Sequence, residues 1–252
     1  MSSPKSAAAC LAAFFLMSGS TGMYAAEIVI ISTTASKEAL VELIPLFERA
    51  SGYTVAATYG PGSEMGNKIR SGLTGDLLIA PSEFTDPLMK EGRIVAGSRV
   101  DFALSGSAVA VRAGAPKPEI GSSASFKQAL IAARTVSYSR GASGLLVVDV
   151  IERLGIADLV KQKTVAPEPG ELVGAVVARG AAELGIQQLS ELLPVSGIEI
   201  VGPLPAELQR SIVYGVSVLP GSKEPEAARA FVVFLRSPTA ASVLKKKGMD
   251  PS

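Results

Sequence analysis

The chain has 252 residues, with 24 Lys and Arg against 23 Asp and Glu, a net charge of +1 and no histidine or tryptophan. The balanced charge advertises no basic face for nucleic acid. The missing histidine removes the Ser-His-Asp triad, the ordinary zinc site and the imidazole general base, so neither a resident metal nor a cofactor is expected.

Lys5 is the only charge in the first 26 residues, and an apolar run from Ala7 to Met17 follows it. Small residues come next, ending in Ala25-Ala26. A basic start, a short greasy run and a small-residue exit read as a secretory leader over residues 1–26, cleaved near Ala25-Ala26. The run is too short to span a bilayer, which takes about 20 residues. Cys10 is the sole cysteine and lies inside this leader, so the exported chain has no disulfide or thiolate chemistry.

From Glu27 the apolar patterning alternates between strand and helix. Glu27–Ser32 reads as a buried strand, and 36–50 as a helix with the stripe Leu40, Leu43, Ile44, Phe47. Pro45 lies inside that helix and Gly52 just past it. Residues 53–58 read as a second strand, a helix opens at Pro61-Gly62-Ser63, and 77–80 read as a third strand before a short helix near 86–91. A second series begins with a strand at 107–112. Helices at 125–133 and 144–154, strands at 135–138, 183–186 and 198–201, and a helical segment at 170–178 follow it. Another apolar strand at 212–218 and two helices at 225–235 and 239–246 complete the chain. This alternation implies α/β architecture, with mostly parallel sheets covered by helices. Extended segments near 103–111 and 211–218 read as two crossings between two lobes.

In open α/β sheets, ligands bind beyond the carboxyl ends of strands, where helix N-termini point their N–H groups. Three such places carry small and hydroxyl residues: Thr33-Thr34-Ala35-Ser36, Gly60-Pro-Gly62-Ser63 and Ser139-Arg140-Gly-Ala-Ser143-Gly144. They serve equally as helix caps or as a shared anion pocket. Arg140 is the one charge in these loops, read either as a counter-charge or as a solvated arginine. Glu64 and Lys37 are the nearest carboxylate and amine, and ligand capture without turnover is the expectation.

Ile31-Ser-Thr-Thr-Ala-Ser-Lys-Glu-Ala-Leu40 with Phe47-Glu48 and Ser51-Gly52 resembles the opening of periplasmic molybdate-binding proteins, whose pattern is F-A-A-A-S-L-x-x-A-L followed by F-E-x-x-x-G. The similarity continues in order through Tyr59-Gly-Pro-Gly-Ser63, Gly75-Asp-Leu-Leu-Ile-Ala80, Ala142-Ser-Gly144, Glu183-Leu-Gly-Ile186 and Lys247-Gly-Met-Asp-Pro251. The resemblance implies a two-lobed periplasmic binding protein fold with two hinge crossings: residues 27–105 and 216–252 form the first lobe and 106–215 the second. It implies capture of molybdate, tungstate or another small anion and its delivery to an ABC permease in the inner membrane; the three hydroxyl-bearing loops and the balanced charge lead to the expectation of a monomer. The family's neutral donors fall on Ala35, with Thr34 and Ser36 beside it, on Gly62, with Ser63 adjacent, and on Ser143, Leu172 and Gln188. Hydroxyls of the family pattern are therefore replaced at Ala35, Gly62 and Gln188. That leaves room for a different, organic anion read by Arg140 or Gln188.

Overall fold

A computed structural model describes residues 26–252. The expected leader, with Lys5 and Cys10, lies outside the described residues but for Ala26, and the expected cleavage site falls at their edge.

The chain begins with β1 (Glu27–Thr33), whose Ile28, Ile30 and Ile31 are fully buried. A single 3-10 turn, Thr34–Ser36, leads into α1 (Lys37–Ser51), which buries Leu40, Leu43 and Phe47 on one face. Pro45 sits within α1 without ending it, and the helix stops at Gly52, whose φ of 77° is the left-handed conformation that glycine adopts without strain. Next come β2 (Thr54–Gly60), α2 (Gly62–Arg70), β3 (Leu77–Pro81), α3 (Ser82–Lys90), β4 (Val100–Ser105) and β5 (Ser107–Arg112). They are followed by α4 (Ser123–Ala132), β6 (Val136–Tyr138), α5 (Ala142–Arg153), α6 (Ala157–Gln162), α7 (Val173–Ala178), β7 (Leu184–Gln188), α8 (Leu189–Leu192) and β8 (Ile198–Pro203). The chain closes with β9 (Ile212–Val218), α9 (Pro225–Leu235), α10 (Pro238–Lys246) and β10 (Asp250–Pro251).

These strands form two sheets, six strands in the order β10-β4-β9-β3-β1-β2 and four in the order β6-β7-β5-β8. Each sheet is mixed, which corrects the mostly parallel arrangement expected from the alternation. In the first, β1 is parallel to β2 and β3, but β9 is antiparallel to β3 and β4, and β10 to β4. In the second, β6 and β7 are parallel while β5 is antiparallel to both β7 and β8. Helical crossovers make neighbouring strands parallel. The strands that pass between sheets have no such crossover, and they run the other way. β4 becomes β5 through Gly106 alone, and the chain returns between β8 and β9. All of β9 pairs in the first sheet, so the return lies before Ile212, ahead of the 215/216 boundary expected from sequence.

Helices α9 and α10 pack back on the first sheet, placing Phe231, Leu235, Val243 and Leu244 in one core with Leu40 and Phe47. The Phe47 and Phe231 rings meet edge to face with centroids 4.9 Å apart, a favoured aromatic geometry. Asp76 ties this half together. It is 3% exposed and accepts hydrogen bonds from Val29 N at 2.8 Å, Ser222 Oγ at 2.7 Å and Lys223 N at 2.8 Å. Burial alone pushes its carboxyl up, but the donors outweigh that and hold it below the usual carboxylate range. The second sheet has a separate core around Val109, Phe126, Leu130, Val147, Ile151 and Ile186. No single helix among the described residues is long and apolar enough to cross a membrane.

Candidate functional site, a cleft between the two sheets

Strand register brings the candidate loops together. Thr33 pairs with Gly60 at the ends of β1 and β2, and Pro81 pairs with Tyr214 where β3 meets β9. In the other sheet Tyr138 pairs with Ile186, so the loop that starts at Ser139 leaves beside Gln187 and Gln188. These ends enclose a cleft of about 540 Å³.

Of the residues named from sequence, Thr34, Ala35, Gly62, Ser63, Arg140, Ser143, Leu172 and Gln188 line the cleft. Ser36 does not. Its buried hydroxyl turns back to the end of β1, 2.8 Å from Ser32 Oγ, and donates to the Thr33 carbonyl at 3.1 Å. It is engaged within the turn because the 3-10 geometry rotates it away from its two predecessors.

Gly62 has a steric explanation. A Cβ there would lie 2.4 Å from the Phe84 ring, so the aromatic side chain occupies the space that a serine would need. An apolar wall stands where the family pattern has a hydroxyl. On the opposite side, a Cβ on Gly144 would lie 1.6 Å from the Ser139 carbonyl oxygen. The loop 139–144 therefore folds tightly onto the start of α5, and only glycine allows that approach. Ser139 Oγ accepts from Gly141 N at 2.9 Å within the same loop.

Two residues that line the cleft, one from each sheet's side, carry buried hydroxyls with no hydrogen-bond partner among the described residues: Thr33 Oγ1 and Ser143 Oγ. An unsatisfied buried hydroxyl costs about 1–3 kcal/mol, which a ligand accepting from both would recover. Among the lining residues Arg140 is the one cation, exposed and in no ion pair among the described residues. The lining carboxylates Glu64 and Glu171 are already paired, with Lys68 at 2.7 Å and with Arg179 respectively.

The floor of the cleft holds residues that the sequence reading missed. Tyr214 OH donates to Gln188 Oε1 at 2.7 Å, and Gln188 Nε2 donates to Glu191 Oε2 at 3.3 Å. Tyr214 belongs to the first sheet and Gln188 to the second, so this chain bridges the two halves. Where the family pattern places a tyrosine, Gln188 stands with a tyrosine from β9 against it. Burial pushes the Glu191 carboxyl up to about 7, offset only in part by the Gln187 and Gln188 amides. Burial, and next the Glu191 charge, drive the Tyr214 phenol well above its ordinary value. The one sequence signal for Glu191 was its place three residues beyond Gln188. α8 is a single turn, too short for a periodic stripe, and Tyr214 looked like any apolar strand residue.

A second cavity of about 620 Å³, reaching Arg112, Arg134 and Glu183, shares no residue with the cleft. Glu183 is already paired with Arg134 there.

Residues 28–250 match the family model described as bacterial extracellular solute-binding protein. The chain belongs to that family. It is 36% identical over 248 residues to an aconitate isomerase from a Pseudomonas species, covering 94% of each chain. It is 29% identical over 239 residues to the molybdate-binding protein ModA of Azotobacter vinelandii, covering 89% of this chain and 90% of the relative. The solved periplasmic molybdate-binding protein of A. vinelandii superposes with a TM-score of 0.73 at 22% identity, over 88% of this chain and 98% of that one. The resemblance to molybdate-binding proteins and the two-lobed α/β fold expected from sequence are both shown. A relative named as an isomerase also means that membership of this family does not by itself exclude catalysis.

Proposed function

We propose that this protein holds a small organic anion with two or three carboxylates between its lobes and isomerises it by moving a proton. Aconitate, the compound named for the Pseudomonas relative, is the first candidate. The observation that carries this reading is an anion cradle and a cation-free carboxyl in one cleft. Arg140 and the unpartnered Thr33 and Ser143 hydroxyls suit carboxylate oxygens, while Glu191 has no counter-ion among the described residues. A carboxyl near neutrality exchanges a proton readily, whereas next to a tetrahedral dianion its ionised form is repulsive. Phe84 replaces a donor with an apolar surface suited to a carbon skeleton. The cleft volume lies in the range of several hundred Å³ that small organic ligands occupy.

The similarity to ModA favours a second reading: the binding component of an ABC importer for molybdate, tungstate or a like oxyanion. Under either reading the protein works as an exported, periplasmic monomer whose lobes close by hinging at the two crossings. Under the second it also docks on an inner-membrane permease.

The test is incubation of the purified protein with cis- and trans-aconitate, following interconversion by chromatography, beside thermal shifts with aconitate, citrate, molybdate, tungstate and sulfate. A ligand of the folded form stabilises it by about 2.7 kcal/mol at a hundredfold excess over Kd. Interconversion and a shift with the tricarboxylate are expected. A shift with molybdate or tungstate alone, without interconversion, replaces the first reading with the second.

A further inference from the structure

Resting on the reading of the cleft as an isomerase site, the geometry points to Glu191 as the group that takes a proton from one carbon of the bound polycarboxylate and returns it at the far end of the same three-carbon unit, with Gln188 and Tyr214 as positioning residues. The titratable groups lining the cleft are Glu64, Arg140, Glu168, Glu171, Glu191 and Tyr214. Glu64 and Glu171 are neutralised by Lys68 and Arg179, and Glu168 is exposed. Arginine does not give up its proton near neutrality, and the Tyr214 phenol titrates far above it. Among the lining carboxylates, Glu191 alone sits half-buried at the floor with no cation paired to it among the described residues.

Its surroundings hold it in place without neutralising it. α8 packs on the 3-10 turn at 34–36, β5, β7 and α7, and also against Gly248 in the turn after α10, where the neighbouring Lys247 is paired with Glu42. The turn, β7 and α7 carry no titratable side chain, and β5 ends in exposed Arg112. Glu83 on α3 is the one further charge that acts on Tyr214. The Tyr214 hydroxyl donates to Gln188 Oε1, which turns the amide nitrogen toward Glu191. The amide thus cannot flip without losing both hydrogen bonds, and together with the Gln187 amide it holds the orientation of the Glu191 carboxyl.

The chemistry balances with this group alone. In a propene-1,2,3-tricarboxylate the methylene C–H lies beside both a carboxylate and the double bond. Ionised Glu191 takes that proton, and the electron pair of the broken C–H bond spreads over three carbons and their carboxylates. Neutral Glu191 then gives the proton to the former vinyl carbon, and the double bond forms on the other side of the central carbon. The skeleton has the same connectivity in both directions, so the held conformation sets the new cis or trans geometry. No double bond rotates, no oxidant is needed and no proton is consumed. A carboxyl poised near 7 is suited to both half-steps.

The experiment compares wild type with Glu191→Gln and Tyr214→Phe, measuring aconitate interconversion from pH 5 to 9 and aconitate affinity by calorimetry. Removing a general acid–base group costs on the order of 100-fold or more. Glu191→Gln is expected to lower kcat at least 30-fold, to keep Kd within about fivefold and to lose the pH limb near neutrality. Tyr214→Phe is expected to move that limb while binding persists. If wild type binds aconitate but shows no interconversion, the isomerase reading fails and this assignment with it. If wild type turns over and Glu191→Gln loses less than 30-fold, the reading stands and the assignment to Glu191 is overturned. Should Glu191→Gln fail to fold, Glu191→Asp carries the test: a drop in kcat with the pH limb retained supports the assignment, and an unchanged kcat overturns it.

Discussion

The two sides of the cleft are built on one plan, a strand end opening into a helix start, yet they carry different chemistry. On the first sheet's side the loops after β1, β2 and β3 present Thr33, Thr34, Ala35, Gly62, Ser63 and Phe84, with no unpaired charge among them. On the second sheet's side stand Arg140, Ser143, Gln187, Gln188 and Glu191. The first surface can hold a ligand through neutral donors and an apolar ring. The second adds an exposed cation and a half-buried acid. On the correspondence expected from the resemblance, the replaced family positions are Ala35 and Gly62 on one side and Gln188 on the other. The difference gives the cleft a direction: one wall is apolar and neutral, while the other carries a cation and a carboxyl that burial pushes toward neutrality.

The sharpest way to break this comparison is Ser143→Ala. A hydroxyl bonded to a charged ligand group contributes about 1.5–3 kcal/mol, roughly 10- to 150-fold in Kd. Calorimetry with aconitate is expected to show that loss, and denaturation of the ligand-free protein no loss of stability, because the hydroxyl has no partner there. Unchanged affinity together with lower apo stability would make Ser143 a helix-start residue only.

Next in size is the pH dependence set by Glu191. Its carboxyl titrates at about 7 when folded and in the ordinary range near 4.5 when unfolded. Between those values the folded state holds a proton that the unfolded state does not. The stabilisation is therefore fully present below about pH 4.5 and is lost as pH rises through 7. Because the side chain opens partly to the cleft, the loss is on the order of 1–3 kcal/mol. Urea denaturation from pH 5 to 8 is expected to show this slope in wild type and not in Glu191→Gln. A parallel slope in both proteins places the titration elsewhere.

The apolar wall is tested by Gly62→Ser combined with Phe84→Ala, which restores the family hydroxyl and vacates the space it needs. Molybdate affinity is expected to rise about tenfold and aconitate affinity to fall, read by competition. Gly62→Ser alone is expected to destabilise by about 1–3 kcal/mol through overpacking against Phe84. The smallest effect belongs to Arg140→Gln. An exposed charge contributes about 1 kcal/mol or less, so aconitate binding should weaken about fivefold at low salt and by less at 0.5 M. Equal weakening at both salt concentrations would show a buried contact instead.

Sequence by itself determined most of the architecture. The apolar runs at 27–32, 77–80 and 212–218 and the stripe Leu40, Leu43, Ile44, Phe47 encode their own geometry, because strand and helix periods are local properties of the chain. Glycine and hydroxyl residues at the strand ends marked the loops that form the cleft, and Ser143, Ser63 and Thr34 are found there. Sheet order and strand direction were decided only by the tertiary structure, since pairing depends on where β4, β5 and β9 travel after they leave one layer. The same holds for the chemistry at the floor. Tyr214 and Gln188 come from different sheets, 26 positions apart in the chain, and Glu191 from the helical turn that follows Gln188. What makes Glu191 an acid near neutrality is burial and the lack of a nearby cation. Neither is a property of any segment of sequence; both arise when the two lobes are set face to face.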